Sequence, residues 1–270
     1  MKDISSVGIV GGGQMGEALV RGLIQSGLVQ PQQIALAEPF AERREYLAAE
    51  YKIYVTDNST DLAAKSTVLI LAVKPQVMNP VLQQYRDAVT SVHLVLSIAA
   101  GVTIAQLEKG LGAKRKIIRV MPNTPALVLA GASALSGNSQ TDEDDIEKGL
   151  QIFSAVGTCV EVPENLLDAV TGLSGSGPGY VFTFIEAMID GGVLAGLPRP
   201  IAEQLVLQTV YGSAKLGLET GEAPAVLKGR VTSPGGTTIT GLQVLEEAGL
   251  RGAVMNAVQA AADRSKELGR

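Results

Sequence analysis

The 270-residue sequence predicts an α/β chain in which an N-terminal parallel sheet is followed by a second, all-helical domain. Three observations predict it. From Val7 to about Met121, short β-branched runs alternate with helical patterns, the order expected of βαβ units. Several of these runs are apolar at consecutive positions, most clearly Val68 to Val73, as strands covered by helices on both faces are. Beyond a short strand-like segment at Val160 to Val162, the pattern is almost wholly helical as far as Arg270.

The expected strands are Val7 to Val10, Gln33 to Leu36, Ile53 to Thr56, Val68 to Val73, Val92 to Ile98 and Lys116 to Val120. The domain boundary is placed after the last strand-like segment, giving residues 1–162 and 163–270. Helices of the second part are apolar over broad faces, as in Ile201, Leu205, Val206 and Val210, with Gly and Pro at their ends. A helical domain of about a hundred residues is marginal by itself, so its excess apolar surface is expected to pack on a second subunit.

Composition narrows the classes of function. With 46% hydrophobic and 18% charged residues the chain can bury a large core. A formal net charge of -5, with no Lys/Arg run, offers nothing to a phosphodiester backbone, so nucleic acid is not an expected partner. Cys159 is the only cysteine and His93 the only histidine, which excludes an intrachain disulfide and a Cys/His zinc site. The start of the sequence lacks the apolar core of a signal peptide, and the stretch from Leu94 to Ala105, broken by Ser97, Gly101 and Thr103, falls short of the about 20 residues of a bilayer span. A cytoplasmic, metal-free protein with no membrane contact is expected.

Val7 to Val10 runs directly into Gly11-Gly12-Gly13-Gln14-Met15-Gly16, a G-x-G-x-x-G at the first strand-to-helix junction. In that setting Gly11 permits the tight turn, Gly13 lets a pyrophosphate approach the backbone and Gly16 lets the helix pack close. The helix start at Gln14 and Met15 turns bare amides and a positive dipole end toward the diphosphate. The motif predicts a Rossmann-type dinucleotide site. Glu38 stands 22 residues beyond Gly16, where an acid binds the adenosine ribose hydroxyls of NAD. Arg43 and Arg44 follow and could meet a 2′-phosphate, so NADH and NADPH both stay open.

Ligands in such sheets sit beyond the carboxyl ends of strands. Ala72-Val73-Lys74-Pro75, Ala99-Ala100-Gly101 and Met121-Pro122-Asn123-Thr124-Pro125 follow three of them and could line the nicotinamide half. Lys74 reads equally as a solvated strand-end lysine, and Asn123 as part of a rigid turn. Ser233-Pro234-Gly235-Gly236-Thr237-Thr238 opens a helix running to about Glu247, a helix start able to hold a carboxylate or phosphate, or simply an N-cap loop. Ser174-Gly175-Ser176-Gly177-Pro178 is another glycine-rich loop before a long apolar helix, where close packing is favoured over catalysis.

Reduction of a ketone usually calls for a His, Lys or Tyr acid to meet charge developing on oxygen. His93 opens a strand whose apolar run predicts burial, and Tyr180 to Met188, where a related group of hydroxyacid dehydrogenases carries its catalytic Lys, contains none. An imine needs no such acid, because its nitrogen is itself basic; positioning and an anion site suffice.

Over essentially its whole length the sequence resembles pyrroline-5-carboxylate reductase, through the glycine fingerprint, Ala72 to Pro75, Ser97 to Val102, Arg119 to Pro125, Ser174 to Pro178 and Ser233 to Thr238, all in family order. The resemblance implies reduction of a cyclic imino acid to proline, with Gly236, Thr237 and Thr238 binding the substrate carboxylate among Ser233 and Gly235, and the Thr238 hydroxyl approaching the ring nitrogen. It further implies that Asn58, Ala72 to Pro75 and Ala100 contact the dinucleotide. It also implies an intertwined dimer, in some members gathered into a decamer, with each active site set between a nucleotide domain and a helical domain. Gly179 departs from the family's usual Ala. Glu38 replaces a small polar residue of NADP-preferring members, which puts the common preference for NADPH in doubt. Two rivals remain: a hydroxyacid dehydrogenase, which would oxidise simple hydroxyacids, and a non-catalytic nucleotide sensor, which would bind cofactor without turnover.

Overall fold

A computed structural model describes residues 4–269. Its strands are β1 (Val7–Val10), β2 (Ile34–Ala37), β3 (Tyr54–Thr56), β4 (Val68–Leu71), β5 (Leu94–Ser97), β6 (Lys116–Met121), β7 (Gly131–Gly137) and β8 (Gly157–Glu161). They form one sheet in the order β3-β2-β1-β4-β5-β6-β7-β8. The helices between them are α1 (Gln14–Gln25), α2 (Ala41–Tyr51), α3 (Ser59–Ala64), α4 (Met78–Tyr85), α5 (Ile104–Leu111) and α6 (Glu143–Ser154). The chain order reverses between β1 and β4, the switch point where such sheets open a crevice at their carboxyl ends.

The continuous apolar strands are buried on both faces. On one side Ile9, Leu36, Ile70, Leu96 and Ile118 pack with Leu19, Leu23 and Phe153. On the other, Val10, Leu69, Leu71, Val95 and Ile117 pack with Leu62, Leu82, Tyr85 and Leu107. Burying each such side chain contributes roughly 1.5–3 kcal/mol. Tyr85 is 2% exposed, and burial raises its phenol above the ordinary range.

The sheet departs from a purely parallel one at a single place. β7 runs antiparallel to β6, because the short segment from Pro122 to Ala130 cannot supply a crossover of a dozen or more residues. β8 is again parallel to β7, reached through α6. Strand ends shift as well. β4 stops at Leu71, so Ala72 and Val73, expected within the strand, leave the sheet as a loop.

At the start of α6, Asp142 and Asp145 form a reciprocal capping box, with the Asp145 N–H donating to Asp142 at 2.9 Å and Lys116 Nζ lying 3.0 Å from the Asp142 carboxylate. The Lys116 hydrogen bond first, and the Asp145 amide second, push the Asp142 carboxyl down to about 2. Its unfolded value lies near 3.9. A depressed carboxylate stabilises the fold fully above the unfolded pKa, and that contribution is lost as pH falls through the folded one. Unfolding by urea at stepped pH should therefore show a stability loss between about pH 4 and 2 that Asp142→Asn makes shallower; an unchanged slope would remove Asp142 from the acid transition.

The remaining helices are α7 (Leu167–Val170), α8 (Gly177–Leu194), α9 (Arg199–Thr220), α10 (Pro224–Arg230), α11 (Thr237–Glu247) and α12 (Leu250–Leu268). The chain divides into two compact units, one made of everything up to Ser176 together with the segment from Gln259 onward, the other of Gly177–Val258. In the second unit, Ile185, Ala202 and Val206 are the buried apolar side chains among the described residues. Phe182, Leu205, Leu207, Tyr211 and Met255 are all more than half exposed. No helix among the described residues is long and apolar enough to cross a membrane.

Candidate active site

The glycine turn has the geometry its spacing predicts. Gly11 has φ +104, and a Cβ there would meet Ala72 O at 2.7 Å. At Gly16 a Cβ would fall 2.1 Å from Gly11 O, so only glycine lets α1 close onto the turn. Gly13 caps α1 with no side-chain hydrogen bond, and a Cβ built on it meets nothing within 4 Å. Uncapped amides therefore face open space at the positive end of a 12-residue helix, a cradle that fits a diphosphate.

That space continues into a cavity of about 630 Å³ whose lining includes Gly13, Gln14, Met15, Ala72, Val73, Lys74, Pro75, Ala100 and Asn123. Three strand ends and the first turn of α1 thus converge as the sequence predicts. Gly11 and Gly16 shape the turn, whereas Glu38 and Asn58 stand outside the lining, after β2 and β3. Asn58 caps α3, its Oδ1 accepting from the amides of Thr60 at 2.8 Å and Asp61 at 3.1 Å.

Asn123 is held from both ends of its amide. Nδ2 donates to Ser174 O at 3.0 Å and Oδ1 accepts from Ala132 N at 2.8 Å, so it fixes the turn as well as lining the cavity. The run from Ser174 to Pro178 is not a loop. Residues Thr171–Gly175 form a π-helical turn that passes into α8, and a Cβ on Gly175 would meet Met121 Cε at 2.5 Å. Arg119, in β6, is 5% exposed and pairs with Glu164 at 3.3 Å and Asp168 at 3.6 Å. Glu164 also accepts the Ile104 amide, and Asp168 the Ser265 hydroxyl at 2.7 Å. His93 is structural, with Thr90 N donating to Nδ1 at 2.9 Å and Nε2 lying 3.1 Å from Ala63 O.

Beside the glycine turn, Glu38 stands where its spacing from the fingerprint predicts, whereas a second acid, Glu17, carries no signal in the fingerprint. The Gly12 amide donates to Glu38 Oε2 at 2.8 Å, and Glu17, in the first turn of α1, receives Arg43 Nη2 at 2.5 Å and the hydroxyls of Tyr51 and Tyr46 at 2.7 and 3.1 Å. Burial acts to raise the Glu17 carboxyl, but these hydrogen bonds outweigh it and leave it lowered. Sequence reasoning did not single out Glu17, because its partners lie 26 to 34 residues away.

In the second unit, Gly235 has φ +65 and Gly236 caps α11. Gly236 donates its own amide to Ser233 O at 3.1 Å, and a Cβ on it would meet Ser233 Oγ at 2.2 Å. The amides left without a partner at this helix start, among the described residues, are those of Thr237, Thr238 and Ile239. Thr238 is half-buried and Ser233 exposed. An anion arriving here meets two or three N–H donors and the helix dipole.

Comparison with known proteins matches residues 164–268 to the pyrroline-5-carboxylate reductase dimerisation family. Residues 6–101 match the family described as NADP oxidoreductase, coenzyme F420-dependent. A pyrroline-5-carboxylate reductase from Synechocystis sp. is 52% identical over 264 residues, covering 98% of each chain. The structure of a pyrroline-5-carboxylate reductase from Coxiella burnetii aligns with a TM-score of 0.95 at 37% identity, over 99% of each chain. That of Plasmodium falciparum pyrroline carboxylate reductase with NADP bound aligns with a TM-score of 0.87 at 34% identity, over 100% of each. With the glycine turn, the strand ends and an uncapped helix start at Thr237 along a match over 98% or more of each chain, this chain belongs to the pyrroline-5-carboxylate reductase family.

Proposed function

We propose that this chain reduces 1-pyrroline-5-carboxylate to L-proline, the last step of proline biosynthesis, with NAD(P)H as the reductant. The observation that carries the proposal is the 52% identity to a named reductase across 98% of both chains. The structural role of His93, and the absence of Lys from Tyr180 to Met188, favour an imine over a ketone substrate.

Bound NAD(P)H supplies the hydride that the imine carbon receives. Gly11, Gly13, Gln14, Met15 and Gly16 hold its diphosphate, Glu38 its adenosine ribose, and Asn58, Ala72, Val73, Lys74, Pro75, Ala100 and Asn123 the remaining contacts. The amides of Thr237 and Thr238, with Ser233, Gly235 and Gly236 shaping the turn, hold the substrate carboxylate. Thr238 is the catalytic residue, its hydroxyl relaying a proton to the ring nitrogen as the carbon is reduced and taking one back from water, so that the threonine ends as it began. Orientation supplies much of the rate, since the bound partners react as if intramolecular.

The working modules are residues 1–162 for the nucleotide and 163–270 for substrate binding and dimerisation. The homo-oligomer is built on the exposed apolar helices of the second unit, as a dimer that can gather into a decamer, and the protein works in the cytoplasm. Light scattering at micromolar concentration should give at least twice the 28.0 kDa chain mass, and a monomer would end the dimer assignment. Loss of reduced-nicotinamide absorbance with pyrroline-5-carboxylate tests the reaction. Rapid oxidation supports it, and cofactor binding without turnover of any imine returns the chain to the sensor class.

A further inference from the structure

We propose that this enzyme selects NADH over NADPH, with Glu38 as the selecting residue and Glu17 as the positioning residue that keeps Arg43 from countering it. The inference rests on the reductase function proposed above and deepens it at the nucleotide.

Glu38 follows β2, where the adenosine ribose lies in sheets of this topology. It is 8% exposed and held at both oxygens, Oε2 by Gly12 N at 2.8 Å and Oε1 by Phe40 N at 3.2 Å. The carboxylate cannot swing aside without abandoning two amides. Gly12 is pressed onto it, since a Cβ there would meet Leu47 Cδ1 at 2.7 Å and Glu38 Oε2 at 3.2 Å. An acceptor fixed in this way suits ribose hydroxyls, which donate. A 2′-phosphate carries about -1.5 to -2 charge and would meet a like charge that has no room to retreat.

Compensation would have to come from Arg43 or Arg44, and both are committed elsewhere. Arg43 Nε donates to Gly12 O at 2.7 Å and Nη2 to Glu17 at 2.5 Å, with the guanidinium 5.0 Å from the centroid of the Tyr46 ring. Glu17 is itself anchored by the hydroxyls of Tyr46 and Tyr51. Arg44 donates to Glu38 O and Pro39 O, both at 2.8 Å, and pairs with Asp57 at 3.1 Å. Both guanidiniums are thus already paired with acids, Arg43 with Glu17 and Arg44 with Asp57, before any nucleotide arrives.

The test is kcat/KM for NADH and for NADPH with pyrroline-5-carboxylate, alongside fluorescence titration of each nucleotide, in the wild type, Glu38→Ser, Glu38→Gln and Glu17→Gln. The wild type should favour NADH by at least roughly tenfold, the scale of a like-charge clash. Glu38→Ser should bring the ratio to about one or below, and Glu38→Gln, which keeps the shape and removes the charge, should move it the same way. Glu17→Gln should raise NADPH efficiency several-fold while NADH stays within about twofold, whereas a merely structural role would lower both. A wild type that prefers NADPH, or a ratio unmoved by both Glu38 variants, overturns the proposal. Absence of turnover with either nucleotide would count against the reductase function alone, since the titrations still report the selectivity.

Discussion

Thr238→Ala lowers kcat by about 10²-fold, the lower end of what a positioned proton donor contributes, and leaves nucleotide affinity unchanged. The lower end is expected because the imine nitrogen is basic and water can replace the hydroxyl. Thr238 sits in the first turn of an 11-residue helix and is half-buried, so removing the hydroxyl costs little stability and leaves the backbone donors in place. Substrate KM should accordingly change less than kcat, the pattern of an interaction made chiefly in the transition state. Thr238→Ser should retain most of the rate. Steady-state kinetics of the two variants decide the matter, and an alanine variant at wild-type rate would take Thr238 out of the mechanism.

Gly16→Ala should act at the other substrate. The added methyl would stand 2.1 Å from Gly11 O, a backbone atom that cannot rotate away, so α1 must be pushed off the turn. Overpacking of this kind costs about 1–3 kcal/mol. Because the displaced helix start also carries the amides proposed to hold the diphosphate, NADH affinity should fall by about 10- to 100-fold, each 1.4 kcal/mol being a factor of ten. Fluorescence titration together with thermal unfolding separates the two effects. Tm should drop by several degrees while far-ultraviolet circular dichroism stays that of a folded chain. Unaltered affinity would show that Gly16 serves packing only.

The core strands were legible because burial on both faces leaves uninterrupted apolar runs: Val7–Val10 has the expected bounds, and β2 through β6 lie within a few residues of expectation. β7 was not legible. Its residues, Gly-Ala-Ser-Ala-Leu-Ser-Gly, lack the β-branched and aromatic signal of a strand, and its pairing with β6 and β8 is a long-range matter. The glycines at its two ends have a reason, since a Cβ on Gly131 would meet Ala126 Cβ at 2.9 Å and one on Gly137 would meet Thr141 Oγ1 at 2.2 Å. The nucleotide crevice could be anticipated because a glycine spacing is local and strand ends follow from the strands. The Glu17 cluster could not, because its members come from α1 and α2 and meet only once the helices pack. The π-helical turn at Thr171–Gly175 was hidden for a related reason: glycine and serine announce a loop, and only packing against Met121 shows why so little side chain is wanted there.

The apolar helices of the second unit, with Phe182 at 62% and Met255 at 71% exposure, bear on how the fold should respond to protein concentration. With the homo-oligomer built on this surface, as proposed above, association and folding would draw on the same free energy. Dilution should then act as a denaturant, lowering Tm as protein concentration falls.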